Sequence, residues 1–346
     1  MTEWRYIQAF TAQFARCNLG TDEIVTILSE TQSRPVLVET ARLAAQSLGG
    51  RVAEVVVPTP ASAHPVPIRS TGASQAIAGN AAVIAALCAS DLVVDCSVEG
   101  LLHAPELGQI LASGARVLMI SNEHPDTFDR LSWDDDLPRR VDLGLAMLRQ
   151  ASQLRVTSGA GSDLRVGLTG AVTAGSTGLT SGPGTIAHWP GGLVLAFPAA
   201  GAVNGRLILS PGDLNLTFNL YLRSSIELTI VDDHIVDIAG DGLDAQLFRS
   251  YLDAFDHRAA YATSHVGWGM NPAARWDTLE LYDKRESWGT ESRAFAGNFL
   301  YSTGANEVAG RFTAGHFDLP MRNCTVTLDG APVVESGGLI PALRRR

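Results

Sequence analysis

The first half of the chain alternates short apolar runs with longer helix-like segments, and this alternation constrains the fold more than any other feature. Strands are predicted at Glu23 to Ser29, Val52 to Val57, Leu92 to Cys96, Arg116 to Ile120 and Leu154 to Thr157. Helices are predicted at Pro35 to Gln46, Ala78 to Ala89, Pro105 to Ala112 and Pro138 to Ser152. Strands that alternate with helices form parallel sheets. We therefore predict an α/β N-terminal domain with a parallel sheet over residues 1–157.

From Gly192 onward the pattern changes to short strands separated by turn residues. Two hairpins are predicted, with turns at residues 232–233 and 329–330. One helix is predicted at Leu243 to Phe255, because apolar residues recur at every fourth position from Leu243. These features predict an α+β, largely antiparallel C-terminal domain over residues 158–346.

The stretch between the two patterns, residues 158–184, is rich in Gly, Ser and Thr. A phosphate loop requires a Gly-Lys-Ser/Thr run, but Lys284 is the only lysine of the chain. A nucleophile elbow requires the pattern G-x-S-x-G, which none of Ser162, Ser176 and Ser181 has. We therefore predict that this stretch is an interdomain connection with irregular loops.

Composition excludes several classes of function. The formal net charge of −10 over 346 residues argues against a nucleic-acid partner, because phosphate binding needs clustered cations. We find no secretory signal and no apolar run long enough to cross a bilayer, so we expect no membrane partner. The cysteines lack the C-x-x-C spacing and suit reduced thiols in a cytoplasmic protein: Cys17, Cys88, Cys96 and Cys324.

A candidate metal site is centred on the run Gly315 to Pro320. Side chains of an extended segment alternate between faces, so His316 and Asp318 point the same way and can bind one cation. His265, in a loop-like run whose two nearby glycines permit close backbone approach, is the best third ligand. Two histidines and one carboxylate form a facial triad that suits non-haem Fe(II). The spacing alone is weak evidence, because a His beside an Asp on a strand is more often a surface pair or a hydrogen-bonded structural histidine.

Two further histidines are candidates for acid–base chemistry. His103 precedes a predicted helix of the first domain, where ligand-facing loops of open α/β sheets occur. His188 stands beside a tryptophan and a turn. Imidazole titrates near neutral pH, so either residue can transfer a proton, and either can equally be a structural histidine.

Three long runs of the second half resemble the 2,5-dihydroxypyridine 5,6-dioxygenase family: Ser264 to Gly269, Arg293 to Gly304 and His316 to Cys324. The resemblance extends more weakly over nearly the whole chain. It implies that His265, His316 and Asp318 bind Fe(II), and that the enzyme uses O2 to open 2,5-dihydroxypyridine to N-formylmaleamate. It also implies a homo-oligomer, which the apolar tail Leu339 to Leu343 favours as well, because the tail could bury its surface against a neighbouring subunit.

The resemblance, together with chemical plausibility, suggests roles for three other residues. His103 is expected to take the proton from the substrate hydroxyl and to return it after oxygen–oxygen cleavage, while His188 and Ser302 orient the ring. Residues 171–187 depart from the family pattern, since they are less acidic and less aromatic here. This departure leaves open which hydroxylated N-heteroaromatic compound is the substrate.

Two alternatives remain open from the sequence. The thermophilic leucyl aminopeptidase lineage is similar in its ligands, so the chain could be a mononuclear metallohydrolase in which the triad activates water. A two-metal site of that lineage is disfavoured, because Leu193 stands where its Pro-x-Gly-Glu motif has a glutamate. The other alternative is a catalytically silent binding protein.

Overall fold

The computed structural model describes residues 2–64, 74–120, 122–131 and 134–344. The helices of these residues are α1 (Trp4–Arg16), α2 (Pro35–Ser47), α3 (Ala81–Cys88), α4 (Leu107–Ala112), α5 (Pro125–Arg130), α6 (Leu137–Gln150), α7 (Leu243–Asp253) and α8 (Thr290–Ala294). The first strands are β1 (Ile24–Glu30), β2 (Arg51–Val57), β3 (Leu92–Asp95), β4 (Arg116–Met119), β5 (Gln153–Ser158), β6 (Asp163–Gly167), β7 (Val172–Ser176), β8 (Ile186–His188), β9 (Leu193–Phe197) and β10 (Val203–Leu209). They are followed by β11 (Leu214–Asn215), β12 (Leu220–Tyr221), β13 (Ile226–Val231), β14 (His234–Ala239), β15 (Thr263–Gly269), β16 (Phe299–Thr303), β17 (Asp318–Met321), β18 (Cys324–Leu328), β19 (Ala331–Glu335) and β20 (Gly338–Leu339).

The first half is built on a parallel sheet with the strand order β2-β1-β3-β4-β8. The predicted strands of this half all form, within one residue of their expected bounds. Helices α1 and α5 were not predicted. Helix α1 packs on the sheet through aromatic contacts, with the ring of Phe10 5.3 Å from that of Phe128 and 4.8 Å from that of Trp189. The α/β class predicted for this half is confirmed.

The second half consists largely of antiparallel sheets, as predicted. One sheet has the order β14-β13-β10-β6-β5-β18-β19-β20 and another has the order β17-β16-β15-β9-β7. The prediction of irregular loops over residues 158–184 was wrong, because β6 and β7 lie within this stretch. Strand β7 has no buried residue, so it is recognisable only from its pairing with β9.

The two halves exchange strands across the boundary predicted at residue 157. Strand β5, which lies at that boundary, pairs with β6 and β18 in the antiparallel sheet. Strand β8 follows the boundary but pairs with β4 in the parallel sheet. The division into residues 1–157 and 158–346 stays a prediction. The chain therefore passes between the two sheets more than once. Residues of both halves line one cavity as a result.

Two features bear on whether a membrane or a second subunit is a partner of the chain. No helix in the described part of the chain is long and apolar enough to cross a membrane. The apolar tail near the C-terminus packs on the chain's own core, since Leu339 and Leu343 are both buried there. The tail therefore gives no support to the expected homo-oligomer, whose existence stays a prediction.

Phe317 anchors the segment that carries His316 and Asp318. Its ring is completely buried, stacks 4.1 Å from the ring of Phe248, and lies 4.5 Å from that of Tyr251. The two flanking side chains point to the opposite face of the segment. Packing of one ring thus holds the two candidate ligands in place.

Replacing Phe317 with alanine should lower the free energy of unfolding by about 3–5 kcal/mol, because it leaves a cavity among aromatic rings. Urea titration of the metal-free protein measures this change. Phe312, which is 51% exposed, provides the matched control, and its alanine variant should change stability by no more than about 0.5 kcal/mol. Equal effects of the two substitutions would contradict an anchoring role.

Candidate metal centre

His265 lies on β15, so its predicted loop-like setting was wrong, although the close backbone approach was right. A Cβ atom at Gly267 would lie 2.0 Å from the carbonyl oxygen of Val194, which is too close, so only glycine fits at this position. The pairing of β15 with β16 shifts register between Thr263 and Val266. Bulges of this kind redirect side chains next to functional sites. Here the bulge contains His265 and aims it at β17.

The structure brings the three predicted ligands together. His316 Nε2 lies 3.2 Å and His265 Nε2 lies 3.7 Å from Oδ1 of Asp318. One ligand atom from each residue falls within 4.8 Å of the others, and all three side chains are buried. This convergence of two imidazoles and a carboxylate is the geometry that a single cation requires.

Asp318 is surrounded by donors. Its Oδ2 accepts a hydrogen bond of 2.5 Å from Nε of Arg293, and its Oδ1 accepts one of 2.5 Å from the hydroxyl of Ser302. Burial acts to raise the pKa of Asp318, but the Arg293 guanidinium and His316 outweigh it and hold that pKa well below its usual range. The carboxylate is therefore charged at neutral pH and suited to binding a metal ion.

The two imidazoles are also in the form that metals bind. Burial lowers the pKa of His265 to about 3 and also lowers the pKa of His316, so both rings are neutral near pH 7. The hydroxyl of Ser264 donates to the carbonyl oxygen of Ala305 and lies 3.0 Å from Nδ1 of His265. It can therefore accept a hydrogen bond from the Nδ1–H group, which leaves Nε2 free for a cation. The residues present fit a divalent metal.

A cavity of about 140 Å³ opens above the triad, between the two halves. Engineered protein cavities of about 150 Å³ bind benzene, so this space suits one six-membered ring. Its wall includes His103, His188, Arg293 and the triad. Ser302 does not belong to this wall, because its hydroxyl is turned to Asp318.

His103, in the first half, and His188, on β8 of the parallel sheet, approach the triad. The His103 ring is buried, 5.4 Å from that of His316 and 6.0 Å from that of His265, and its Nδ1 lies 3.6 Å from a carboxylate oxygen of Glu307. His188, on β8, stacks 5.8 Å from the ring of Trp288. The structure thus places both histidines at the cavity, while their roles and that of Ser302 stay predictions.

Arg293 and Trp288 were not singled out from the sequence. Arg293 is only 6% exposed, lies under the Trp288 ring at 4.4 Å, and faces the cavity. Its Nη2 atom makes no hydrogen bond within the described part of the chain. The sequence signal for such a residue is weak, because an arginine beside Ala294 and Phe295 is unremarkable until its partner is known.

Three comparisons relate the chain to known proteins. A family model described as NicX, 2,5-dihydroxypyridine 5,6-dioxygenase, matches residues 5–341. The 2,5-dihydroxypyridine 5,6-dioxygenase of Pseudomonas putida is 38% identical over 322 residues, which cover 91% of this chain and 90% of that protein. A solved structure of 2,5-dihydroxypyridine dioxygenase from the same organism has a TM-score of 0.92 at 35% identity and covers 98% of both chains.

A second solved structure shares the fold alone. Wild-type AmpT from Thermus thermophilus has a TM-score of 0.60 at 13% identity and covers 97% of this chain and 99% of its own.

Acid should destabilise the metal-free protein through its buried histidines. Burial lowers the pKa of His188 to about 3, with Arg293 adding to the effect, whereas an unfolded histidine titrates near about 6.5. Between these values the unfolded chain binds a proton that the folded chain does not. Stability should therefore fall, as pH drops below about 6.5, by about 1.4 kcal/mol per pH unit for each such group.

The variant His188→Gln should show a shallower loss of stability than the wild type in urea titrations from pH 7 to pH 4. The same replacement at the exposed His257 is the control. An unchanged slope in His188→Gln would mean that His188 is charged in the folded protein.

Proposed function

Because the chain belongs to the 2,5-dihydroxypyridine 5,6-dioxygenase family, we propose that it is an Fe(II)-dependent, ring-cleaving dioxygenase. Its proposed substrates are 2,5-dihydroxypyridine and O2, and its proposed product is N-formylmaleamate. Both oxygen atoms of O2 enter the product, so no further reductant is needed. His265, His316 and Asp318 are the proposed iron ligands.

One observation carries the proposal: a buried group of two neutral imidazoles and one carboxylate lies at the base of a cavity that fits a single ring. A facial set of three ligands leaves about three positions of an octahedral metal open. When bound there, Fe(II) would supply a site at which O2 and the substrate can react. The protein residues bind the ring, exclude water and manage protons.

Arg293 and His188 support an oxygen-bearing ring as the substrate. Arg293 lines the cavity and its buried Nη2 atom is a cationic donor without a hydrogen-bond partner in the described part of the chain, which is costly. A hydroxyl or carbonyl oxygen on the ring would accept a hydrogen bond from it. His188, held neutral by burial, can orient the ring from the parallel sheet.

His103 is the proposed acid–base residue. It is buried at the cavity and close to both ligand histidines, but its ring atoms are not part of the converging group. Its Nδ1 lies near Glu307, whose side chain is 45% exposed and connects the imidazole to solvent. A proton from the substrate hydroxyl could pass to His103 and return at oxygen–oxygen cleavage.

Apart from Ile186, short side chains line the part of the cavity where the sequence departs from the family pattern. The wall of residues 171–187 contributes Ala174, Gly175, Ser176, Ile186 and Ala187. Small residues leave space for a ring substituent. A panel of hydroxypyridines therefore belongs in the first assay, with 2,5-dihydroxypyridine as the expected best substrate.

Anaerobic reconstitution with Fe(II), followed by an oxygen-electrode assay, tests the function directly. The wild type should consume one O2 per ring opened. The variants His265→Ala, His316→Ala and Asp318→Ala should each lose bound iron and turnover while retaining the circular dichroism of the folded chain. Peptide hydrolysis with zinc or cobalt and no oxygen uptake would contradict the proposal in favour of a metallohydrolase, and absence of bound metal would favour a binding protein.

Replacing His103 with glutamine should separate proton transfer from iron binding. Glutamine keeps hydrogen bonding but does not titrate near neutral pH, so turnover should fall about 100-fold or more at unchanged iron content. Iron analysis and steady-state rates across the pH range measure both quantities. Loss of iron would instead identify His103 as a ligand, and wild-type turnover would identify it as structural.

A further inference from the structure

The position of Asp318 depends on Arg293, and the position of Arg293 depends on Trp288. Arg293 donates from Nε to Oδ2 of Asp318 at 2.5 Å and from Nη1 to the carbonyl oxygen of Trp288 at 3.1 Å. Its guanidinium also lies 4.4 Å from the centre of the Trp288 ring. A guanidinium with two directed hydrogen bonds and one stacked face has little freedom to turn. Displacing Trp288 would therefore displace Arg293.

Trp288 is held in turn by the first half of the chain. Its backbone N–H donates to Oε1 of Glu123 at 2.9 Å, and the N–H of Thr290 donates to Oε2 of the same carboxylate at 2.9 Å. The indole Nε1 donates to the carbonyl oxygen of Val98 at 2.6 Å. Between the two amides Gly289 has a φ of +84°, in the left-handed region that favours glycine. One carboxylate thus spans a sharp turn.

Glu123 is a buried charge whose two oxygens both serve this turn. It is 2% exposed and lies between β4 and α5, away from the cavity wall. Oε1 also accepts the N–H of His124 at 3.1 Å. Two acceptor oxygens match two amide donors, whereas a glutamine would present one acceptor and one competing donor. Both acceptor oxygens of Glu123 are therefore needed to hold the turn.

We propose that Glu123 is a positioning residue for the metal centre, which it reaches through Trp288, Arg293 and Asp318. It holds the turn that aims Arg293 at the carboxylate of Asp318, and so keeps Oδ1 directed at the two histidines. The first half of the chain thereby controls the geometry of ligands that all belong to the second half. This inference rests on the proposed function, because it takes Asp318 as a metal ligand.

The test compares Glu123→Gln with Asp244→Asn. Asp244 likewise accepts two backbone N–H bonds, from Arg223 at 2.9 Å and Ser224 at 2.8 Å, but it lies on α7, away from the cavity wall. Anaerobic Fe(II) titration should show a 10- to 100-fold weaker affinity in Glu123→Gln, the usual effect of losing an outer partner of a ligand. Asp244→Asn should bind iron as the wild type does, even where it lowers the melting temperature.

A double-mutant cycle shows whether Glu123 acts through Arg293. If it does, Glu123→Gln should weaken iron binding little further in an Arg293→Lys background. Losses that multiply would overturn the proposal, and so would wild-type affinity in Glu123→Gln. If Glu123→Gln does not fold, Glu123→Asp, which keeps the charge but reaches less far, replaces it in both measurements.

Crystal structures of the metal-free wild type and Glu123→Gln provide a readout independent of iron. The variant should show the Trp288 turn displaced and the bond from Arg293 to Asp318 lengthened or lost. An intact bond would overturn the proposal. If the wild type binds no metal while Glu123→Gln still shows this structural change, the proposed function fails and the positioning role of Glu123 stands, and so the two failures are distinguishable.

Discussion

The buried charge of Asp318 is the constraint on which the site depends. A carboxylate removed from water is costly unless charged or hydrogen-bonding partners surround it. Here the partners are Arg293, Ser302 and His316, and they come from separate segments of the second half. Each partner must be held by packing, because a loose donor would leave the charge uncompensated. The buried core around β15, β16 and β17 supplies that packing.

The two imidazoles of the site complement this charge. Burial keeps His265 and His316 neutral, so that protons do not compete with a metal for their nitrogen atoms. The guanidinium of Arg293 balances the single carboxylate in the absence of a cation. A divalent ion would then join a group that is close to neutral.

The two sheets contribute different residues to the site. The antiparallel sheet carries the triad, while the parallel sheet contributes His188 on β8 and His103 in the region after β3. The carboxyl ends of parallel strands are the usual place for ligand-binding loops. The candidate metal ligands and the two candidate acid–base histidines thus come together only where the two sheets are in contact. Glu123 lies at that contact.

Local patterns in the sequence determined much of this protein. The alternation of strands and helices predicted the parallel sheet, and the two-residue spacing of His316 and Asp318 predicted that they share a face, because both follow from backbone geometry within a few residues. Tertiary structure decided the rest. The apolar stripe expected from Leu243 is rotated, with Leu243 66% exposed and Phe248 buried, because the neighbouring core selects the buried face of α7. Likewise, the link from Glu123 to Arg293 joins residues far apart in the chain, and no local pattern encodes a contact that exists only after both sheets have packed.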